Sequence, residues 1–238
     1  MVPRTAAIRR RWLIVLACLT PTLGGAADAA LTERETNWLA AGRPVLRYAA
    51  SEGLSVDVVV QPDNQPDLSP MAMGIRNGRC TLVVSMRGNA EIESLSRSVP
   101  PTLFRPVAQA IFAHEVAHCW RFTKGGWHSE PAVSAEASKG ESPTALVRAE
   151  HEMRLTRREE GYADLVGLAW TLHAHAGQYE QVRAWLSAYR REHAIAGDHH
   201  DTALWIDLAR DKAAFAPAAD LFVEAGVVFE RGLQQEEP

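Results

Sequence analysis

Two histidines four residues apart, His114 and His118, lie in a stretch of the chain with the composition of a buried helix, and Glu115 directly follows the first of them. The surrounding residues are mostly apolar and free of helix breakers between Pro106, which suits a first turn, and Gly125-Gly126, which would end the helix. Because positions i and i+4 share one helix face, both imidazoles are expected to project toward a common point. The histidines are therefore a candidate metal-binding pair. The alternative is that both are ordinary helix residues that bind nothing.

A catalytic zinc site needs one more protein ligand, because such sites use three protein ligands and leave a fourth position for water. A long helical pattern from about Thr144 to Ala174 offers Glu160 and, four residues later on the same face, Asp164. Glu159 is the rival ligand, but only Glu160 is followed by an aspartate at this spacing. The alternative is a solvated helix face on which these carboxylates pair with neighbouring arginines.

The motif His114-Glu115-x-x-His118 followed by Glu160-x-x-x-Asp164 resembles the gluzincin group of zinc metallopeptidases. The resemblance implies a zincin-like domain in which His114, His118 and Glu160 bind Zn²⁺. It implies that Asp164 accepts a hydrogen bond from a ligand imidazole, which we assign to His114. It also implies that Glu115 is the general base toward a zinc-bound water, as in a metalloendopeptidase acting on a peptide or protein substrate. The matching residues cover the two helices and little else.

Peptide hydrolysis also needs a donor to the oxyanion of the tetrahedral intermediate. In gluzincins a His or Tyr from a later segment supplies it, and the adjacent His199 and His200 are the main candidates in this chain. We choose His200, because Asp201 and Thr202 can cap the following helix and hold the histidine in place. The alternative is an exposed polar loop.

Three functions are compatible with these residues. The first is a zinc peptidase, the second is a catalytically inactive zinc-binding or scaffolding protein of the same fold, and the third is a zinc hydrolase of a non-peptide amide. Glu115 favours an enzyme, because a metal ion that only stabilises the fold has no use for a base beside it.

Residues 1–29 have the pattern of a cleavable secretory signal peptide. Four arginines precede the apolar run from Trp12 to Leu19, and Ala27-Asp28-Ala29 is a suitable cleavage motif. The apolar run is too short to span a bilayer. We therefore expect a periplasmic or secreted protein in which residues 30–238 form a single zincin-like metallopeptidase domain, without stable membrane insertion once the signal is removed.

Loss of the basic N-terminal segment would leave a distinctly acidic chain, which argues against a nucleic-acid partner and against adhesion to anionic lipid. Cys80 and Cys119 are the cysteines that would remain. In an oxidising compartment these two residues could form a disulfide, and the alternative is a pair of free thiols.

The rest of the pattern predicts an α+β fold, with a small N-terminal β-sheet and hairpin packed on a mainly helical domain. Leu31 to Tyr48 is predicted to be a helix that Thr32 and Glu35 cap reciprocally. Asn77-Gly78 is a strong hairpin signal between two apolar runs. Strands are predicted at Leu54–Val60, Met71–Ile75 and Cys80–Met86, helices at Gln178–Ile195, Ala203–Phe215 and Ala218–Leu233, and a loop close to the cleft at Gly125–Pro143.

An extended substrate could add as a further strand to a sheet edge beside the metal-binding helix. Cys80–Met86 is our candidate for that edge, and the alternative is an internal strand of a small sheet. Trp170, Trp185 and Trp205 are expected to lie in the core rather than at a ligand.

Overall fold

The computed structural model describes residues 30–64, 66, 68–127, 145–193 and 195–236. The predicted signal peptide at residues 1–29 and most of the loop predicted at Gly125–Pro143 lie outside these ranges. From Leu31 onward the chain forms one unit. Among the described helices, we find none that combines the length and the apolar character needed to cross a bilayer.

Seven α-helices account for most of the described chain. They are α1 (Glu33–Ser51), α2 (Ala90–Ser98), α3 (Phe104–Thr123), α4 (Ala145–Ala174), α5 (Tyr179–His193), α6 (Ala203–Leu208) and α7 (Leu221–Gln235). The predicted capping box of α1 is present: Glu35 N donates to Thr32 Oγ1 at 3.2 Å, and Thr32 N donates to Glu35 Oε2 at 2.7 Å. The fold is therefore α+β and mainly helical, as the sequence predicts.

Two helical details differ from the prediction. The stretch Ala203–Phe215 is not one helix, because α6 ends at Leu208 and a separate 3₁₀ turn follows at Lys212–Ala214. Helix α2 was not predicted, although Asn89 caps it by accepting from the backbone N–H groups of Glu91 and Ile92. Its two buried apolar residues are too few to give a clear helical period in the sequence.

The sheet has three strands, β1 (Val56–Val60), β2 (Met71–Arg76) and β3 (Arg79–Val84), in the order β1-β3-β2. Strand β3 pairs in parallel with β1 and antiparallel with β2. The predicted hairpin joins β2 to β3, and Asn77 (φ 51°) and Gly78 (φ 73°) both adopt the left-handed conformation that a type I′ turn requires.

The predicted edge strand is wrong, because β3, the strand in the Cys80–Met86 segment, is the central strand. The outer strand on the side of α3 is β2. Ser85 N donates to Pro70 O at 2.9 Å, which fixes the antiparallel pattern. In that pattern the hydrogen-bonding groups of Ala72 and Gly74 face β3, whereas those of Met71 and Met73 face away from it.

Helices α3 and α4 form the centre of the molecule and pack against each other over much of their length. Gly167 lets the two backbones approach closely, since a Cβ at this position would lie 2.8 Å from Ala110 O. On its other side α3 is bonded to the sheet, because Cys80 of β3 and Cys119 of α3 form a disulfide. The two cysteines are thus paired rather than free.

Candidate metal centre

The two histidines of α3 converge as their spacing predicts. His114 Nε2 and His118 Nε2 lie 3.2 Å apart on the face of α3 that meets α4. Helix α4 brings Glu160 to the same point: its carboxylate oxygens lie 3.3 Å from His114 Nε2 and 3.4 Å from His118 Nε2. Two helices far apart in the sequence thus present three donor groups to one position.

These separations fit a metal ion. Ligand bonds of 2.0 to 2.1 Å in tetrahedral geometry place neighbouring donor atoms about 3.4 Å apart, close to all three observed separations. Two imidazole nitrogens and one carboxylate are also a donor set that zinc accepts in catalytic sites. The side chains of His114, His118 and Glu160 are 11 to 14% exposed, so the group is accessible from the cleft.

Asp164 lies behind the first histidine, with Oδ1 2.9 Å from His114 Nδ1, which is the contact expected from the sequence. This contact directs Nε2 of His114 toward the metal position. Asp164 also accepts hydrogen bonds from Arg190 of α5, from Nε at 2.9 Å and from Nη2 at 2.8 Å. Arg190 Nη2 lies 3.3 Å from Glu160 Oε2 as well. Arg190 was not predicted from the sequence, because an arginine among several on an amphipathic helix carries no motif.

Glu159, the rival ligand, points elsewhere. Its carboxylate accepts two hydrogen bonds from Arg121, at 2.8 and 2.9 Å. Glu159 and Asp164 are buried, and Glu160 is largely so, which makes the alternative of a solvated acidic helix face wrong. The two consecutive glutamates therefore make different contacts. Glu159 joins α4 to α3 through an ion pair, and Glu160 faces the histidines.

The protonation states of His114, His118 and Glu160 depend strongly on one another. Burial opposes a charge on His114, but Glu160 and Asp164 outweigh burial and raise the pKa of His114 to about 10. Burial, followed by the charge on His114, lowers the pKa of His118 to about 4. Burial also opposes ionisation of Glu160, yet His114, His118 and Arg190 hold its pKa well below the usual value. The metal-free group thus carries one protonated histidine, one neutral histidine and an ionised glutamate at neutral pH.

Glu115 is buried beside this group and lines the same cleft. Burial raises the pKa of Glu115 to about 7, although the charge on His114 acts in the opposite direction. The backbone of Met73 in β2 hydrogen-bonds to the Glu115 carboxyl group. A carboxyl group whose pKa lies near neutrality is suited to accept and return a proton at physiological pH.

His200 and His199 both line the cleft, and their rings lie 3.9 Å apart. His200 Nε2 is 3.9 Å from Glu160 Oε2, so His200 stands beside the ligand group without a direct hydrogen bond to it. Burial, followed by the charge on Arg190, lowers the pKa of His200 to about 4. At neutral pH the imidazole is therefore uncharged, with one N–H available as a donor.

The predicted reason for the position of His200 is wrong. The Thr202 side chain makes no cap hydrogen bond to α6. Its hydroxyl instead donates to Asp164 Oδ2 at 2.6 Å, and Asp201 Oδ2 accepts from Gly197 N at 2.9 Å. The loop that carries His200 is thus tied to the aspartate behind the metal ligands rather than to the next helix.

The tryptophans predicted to lie in the core are not all confined to it. Trp205 is buried in the core as expected, and half-buried Trp170 and Trp185 pack against the core, but Trp185 also lines the cleft. Trp127, whose ring centroid is 5.5 Å from that of His118, also lines it. The buried hydroxyls of Tyr162 and Tyr179 donate to the main-chain carbonyls of Phe222 and Ala209.

The cleft as a whole has a volume of about 480 Å³ and lies between β2, α2, α3 and α5, with the metal group on one wall. Comparisons of the chain with protein-family models, with curated proteins and with solved structures return no match. The function must therefore be inferred from the residues of the cleft themselves.

Proposed function

We propose that this protein is a zinc-dependent peptidase, in which His114, His118 and Glu160 hold the ion and Glu115 is the general base. The observation that carries the proposal is the convergence of two imidazoles and one carboxylate, 3.2 to 3.4 Å apart, beside a buried glutamate that is not one of the three donors. A metal ion that served only to stabilise the fold would not require that glutamate.

A zinc ion in this position would supply Lewis acidity, which activates water and polarises a substrate carbonyl at neutral pH. Glu115 accepts the proton of the attacking water as the new carbon–oxygen bond forms. It then returns that proton to the amide nitrogen as the carbon–nitrogen bond breaks. The pKa of about 7 that burial gives Glu115 suits both transfers.

His200 is our proposed donor to the oxyanion. Its low pKa keeps it neutral, and it lines the cleft next to Glu160. Asp164 and Arg190 hold two of the proposed ligands, His114 and Glu160, in place. Asp164 fixes the orientation of His114, while Arg190 contacts both Asp164 and Glu160.

A polypeptide substrate is favoured by the strand beside the base. Met71 and Met73 of β2 line the cleft, and their main-chain groups face away from β3, with the Met73 N–H already hydrogen-bonded to Glu115. An extended peptide can pair with such an edge and place a carbonyl near Glu115. A small non-peptide amide would make no use of this edge.

The disulfide between Cys80 and Cys119 supports the proposal of a periplasmic or secreted protein, because disulfides persist in oxidising compartments.

The test compares Glu115→Gln, Glu160→Gln and Glu159→Gln with the unaltered protein, by zinc content and by cleavage of a quenched fluorescent peptide library. Glu115→Gln should keep zinc and lose at least 100-fold in kcat. Glu160→Gln should lose zinc, whereas Glu159→Gln, the control at the next position, should keep zinc although loss of its ion pair with Arg121 lowers the free energy of unfolding.

Three results would contradict the proposal. Full zinc content in Glu160→Gln would remove Glu160 from the ligand group. Zinc binding without cleavage by the unaltered protein would favour the inactive zinc-binding protein, and cleavage of non-peptide amides alone would favour the other hydrolase.

A further inference from the structure

His200 lies in a short loop between α5 and α6, residues 195–202, which we call the histidine loop. The aspartates of the loop hydrogen-bond to its own main chain. Asp198 accepts from two N–H groups of the loop, at 2.9 and 2.7 Å, and the second of these belongs to His200. Asp201 Oδ2 accepts from Gly197 N at 2.9 Å. Because such bonds fix the internal shape of a loop, the position of His200 depends on where the loop is attached to the rest of the molecule.

The imidazole of His200 depends on its main chain for its position. Among the described residues, none hydrogen-bonds to the ring nitrogens, and Glu160 Oε2 lies 3.9 Å from Nε2. The main chain of His200 is held on both sides, since its N–H donates to Asp198 and its carbonyl accepts from Thr202 N at 2.9 Å. A shift of either contact would therefore displace the ring.

Thr202 attaches the histidine loop to the metal centre. Its hydroxyl donates to Asp164 Oδ2 at 2.6 Å, and the two residues are 0 and 2% exposed. A hydrogen bond from a hydroxyl to a carboxylate at this distance is charge-assisted and stronger than one between neutral groups. Within the described chain, no other side chain of the loop hydrogen-bonds to a residue outside it.

The bond to Asp164 takes the place of a helix cap. Thr202 directly precedes α6, where a threonine hydroxyl ordinarily accepts from a main-chain N–H of the first helical turn. In this structure the hydroxyl makes no such bond. A residue that gives up a favourable local contact for a distant one is a signature of a functional site.

Asp164 is a fixed point that three elements share. Its Oδ1 contacts His114 Nδ1 of α3 and accepts from Arg190 Nη2 of α5, while its Oδ2 accepts from Arg190 Nε and from Thr202. The carboxylate behind the first metal ligand thus also anchors the loop that carries His200.

We infer that Thr202 is a positioning residue, whose hydroxyl holds the His200 imidazole beside the metal group by way of Asp164. The consequence for an oxyanion rests on the proposed peptidase function. The anchoring of the histidine loop itself needs neither a metal ion nor a substrate.

Amide hydrogen exchange in the metal-free protein tests the anchoring. Thr202→Val removes the hydroxyl and keeps the shape of the side chain, and exchange at Gly197 and His200, followed by NMR, should become at least about tenfold faster. Thr202→Ser keeps a hydroxyl and should restore slow exchange. Thr171→Val is the matched control, because Thr171 is also fully buried but donates to Gly167 O at 2.8 Å within α4, and this variant should leave both amides unchanged. If circular dichroism shows that Thr202→Val is unfolded, Thr202→Ala replaces it.

A double-mutant cycle in the zinc-loaded protein tests the route through His200. Thr202→Val should lower kcat by at least about tenfold, as displacement of a catalytic group does, and should leave KM and zinc affinity unchanged. In a His200→Ala background the same substitution should have no further effect on kcat, because its target is absent. A purely structural role would lower kcat in both backgrounds.

The two experiments separate this inference from the proposed function. Unchanged amide exchange or unchanged kcat in Thr202→Val overturns the inference. A further loss of kcat in the His200→Ala background, or a fall in zinc affinity, also overturns it, since Thr202 would then act on the ligands or on the fold. Faster exchange in Thr202→Val, without any peptide cleavage by the unaltered zinc-loaded protein, supports the anchoring and contradicts the peptidase.

Discussion

Arg190 joins the parts of the candidate metal centre, although it is neither one of the three donors nor part of their motifs. It donates two hydrogen bonds to Asp164 and contacts Glu160, so it connects the carboxylate behind one ligand to another ligand. Arg190 is buried, and two carboxylates close together would repel each other without a cation between them. The guanidinium therefore fixes the ligand group before any ion binds.

Replacing Arg190 with methionine keeps the length and volume of the side chain roughly constant and removes the charge. We expect Arg190→Met to weaken zinc binding by about 10- to 100-fold, the usual effect of losing a contact that orients a ligand. The measurement is a zinc titration in competition with a chromophoric chelator. The matched control is Arg183→Met on the same helix, where the arginine pairs only weakly with an exposed glutamate at 3.4 Å. Equal zinc affinities in both variants would show that Arg190 has no part in positioning the ligands.

Single residues also show what a sequence can and cannot reveal. His114 with His118, and Glu160 with Asp164, were predicted from the sequence to share helix faces, because each pair lies within one helix, where spacing alone decides which side chains share a face. That the two pairs meet was implied only by the family resemblance. Arg190 was missed because its position depends on how α5 packs against α4, which no local pattern records. For the same reason Thr202 was assigned to the helix beside it, whereas its hydroxyl bonds to Asp164.

At the scale of elements, the site requires α3 and α4 to approach closely. The two helices meet at Gly167 and Ala110, where a methyl group on Gly167 would lie 2.8 Å from a main-chain oxygen. A backbone atom cannot move aside as the end of a flexible side chain can. Gly167 lies about two turns from Glu160 on α4, so a wider separation of the helices would also displace Glu160 from the histidines.

Gly167→Ala tests this requirement. We expect the substitution to lower the free energy of unfolding of the metal-free protein by about 1–3 kcal/mol, as overpacking does, and to weaken zinc binding. Gly226→Ala in α7 is the control, because an alanine there meets nothing within 4 Å and should be neutral or stabilising by up to about 1 kcal/mol. Urea unfolding and the chelator titration measure the two effects. A stabilised Gly167→Ala protein with unchanged zinc affinity would contradict close packing at this contact.

In the sheet, the hairpin could be predicted from the sequence, but the order of the strands could not. The hairpin was predicted because Asn77-Gly78 adopts the turn through its own backbone conformation. The strand order was not predicted, since β1 joins the sheet in parallel beside β3, which makes β3 the central strand and leaves β1 and β2 as the two outer strands. That choice depends on pairing between distant segments, which alternation of apolar residues does not specify.

At the scale of the whole molecule, the disulfide and the candidate metal ligands connect α3 to different neighbours. The Cys80–Cys119 bond attaches the sheet to α3 one residue after His118, and the ligand group attaches α3 to α4. Closing a loop with a sequence separation of 39 contributes about 4 kcal/mol in the chain-entropy model. The disulfide thus stabilises the ligand-bearing helix even in the metal-free protein.

Metal uptake should be coupled to pH through His114. In the metal-free protein Glu160 and Asp164 raise the pKa of His114 to about 10 against the opposing effect of burial, while the pKa of His118 is lowered to about 4 by burial. At neutral pH the two histidines therefore carry one proton more than two neutral imidazoles would. Zinc requires both Nε2 atoms to be unprotonated, so binding must release that proton. Zinc affinity should therefore rise with pH until His114 loses its proton without zinc, near pH 10.

Between pH 6.5 and 8.5 we expect the zinc dissociation constant to fall by about tenfold per pH unit, as release of one proton requires. Chelator competition at several pH values measures the slope, and calorimetry in buffers of different ionisation enthalpy counts the protons. Glu115 also has a pKa near 7, so Glu115→Gln is the control, and it should keep the slope because Glu115 is not a ligand in our assignment. A dissociation constant that stays flat over this range would mean that His114 is neutral before zinc arrives. The hydrogen bond from Asp164 would then orient an uncharged imidazole, and Glu160 would have to be held in place by Arg190 alone.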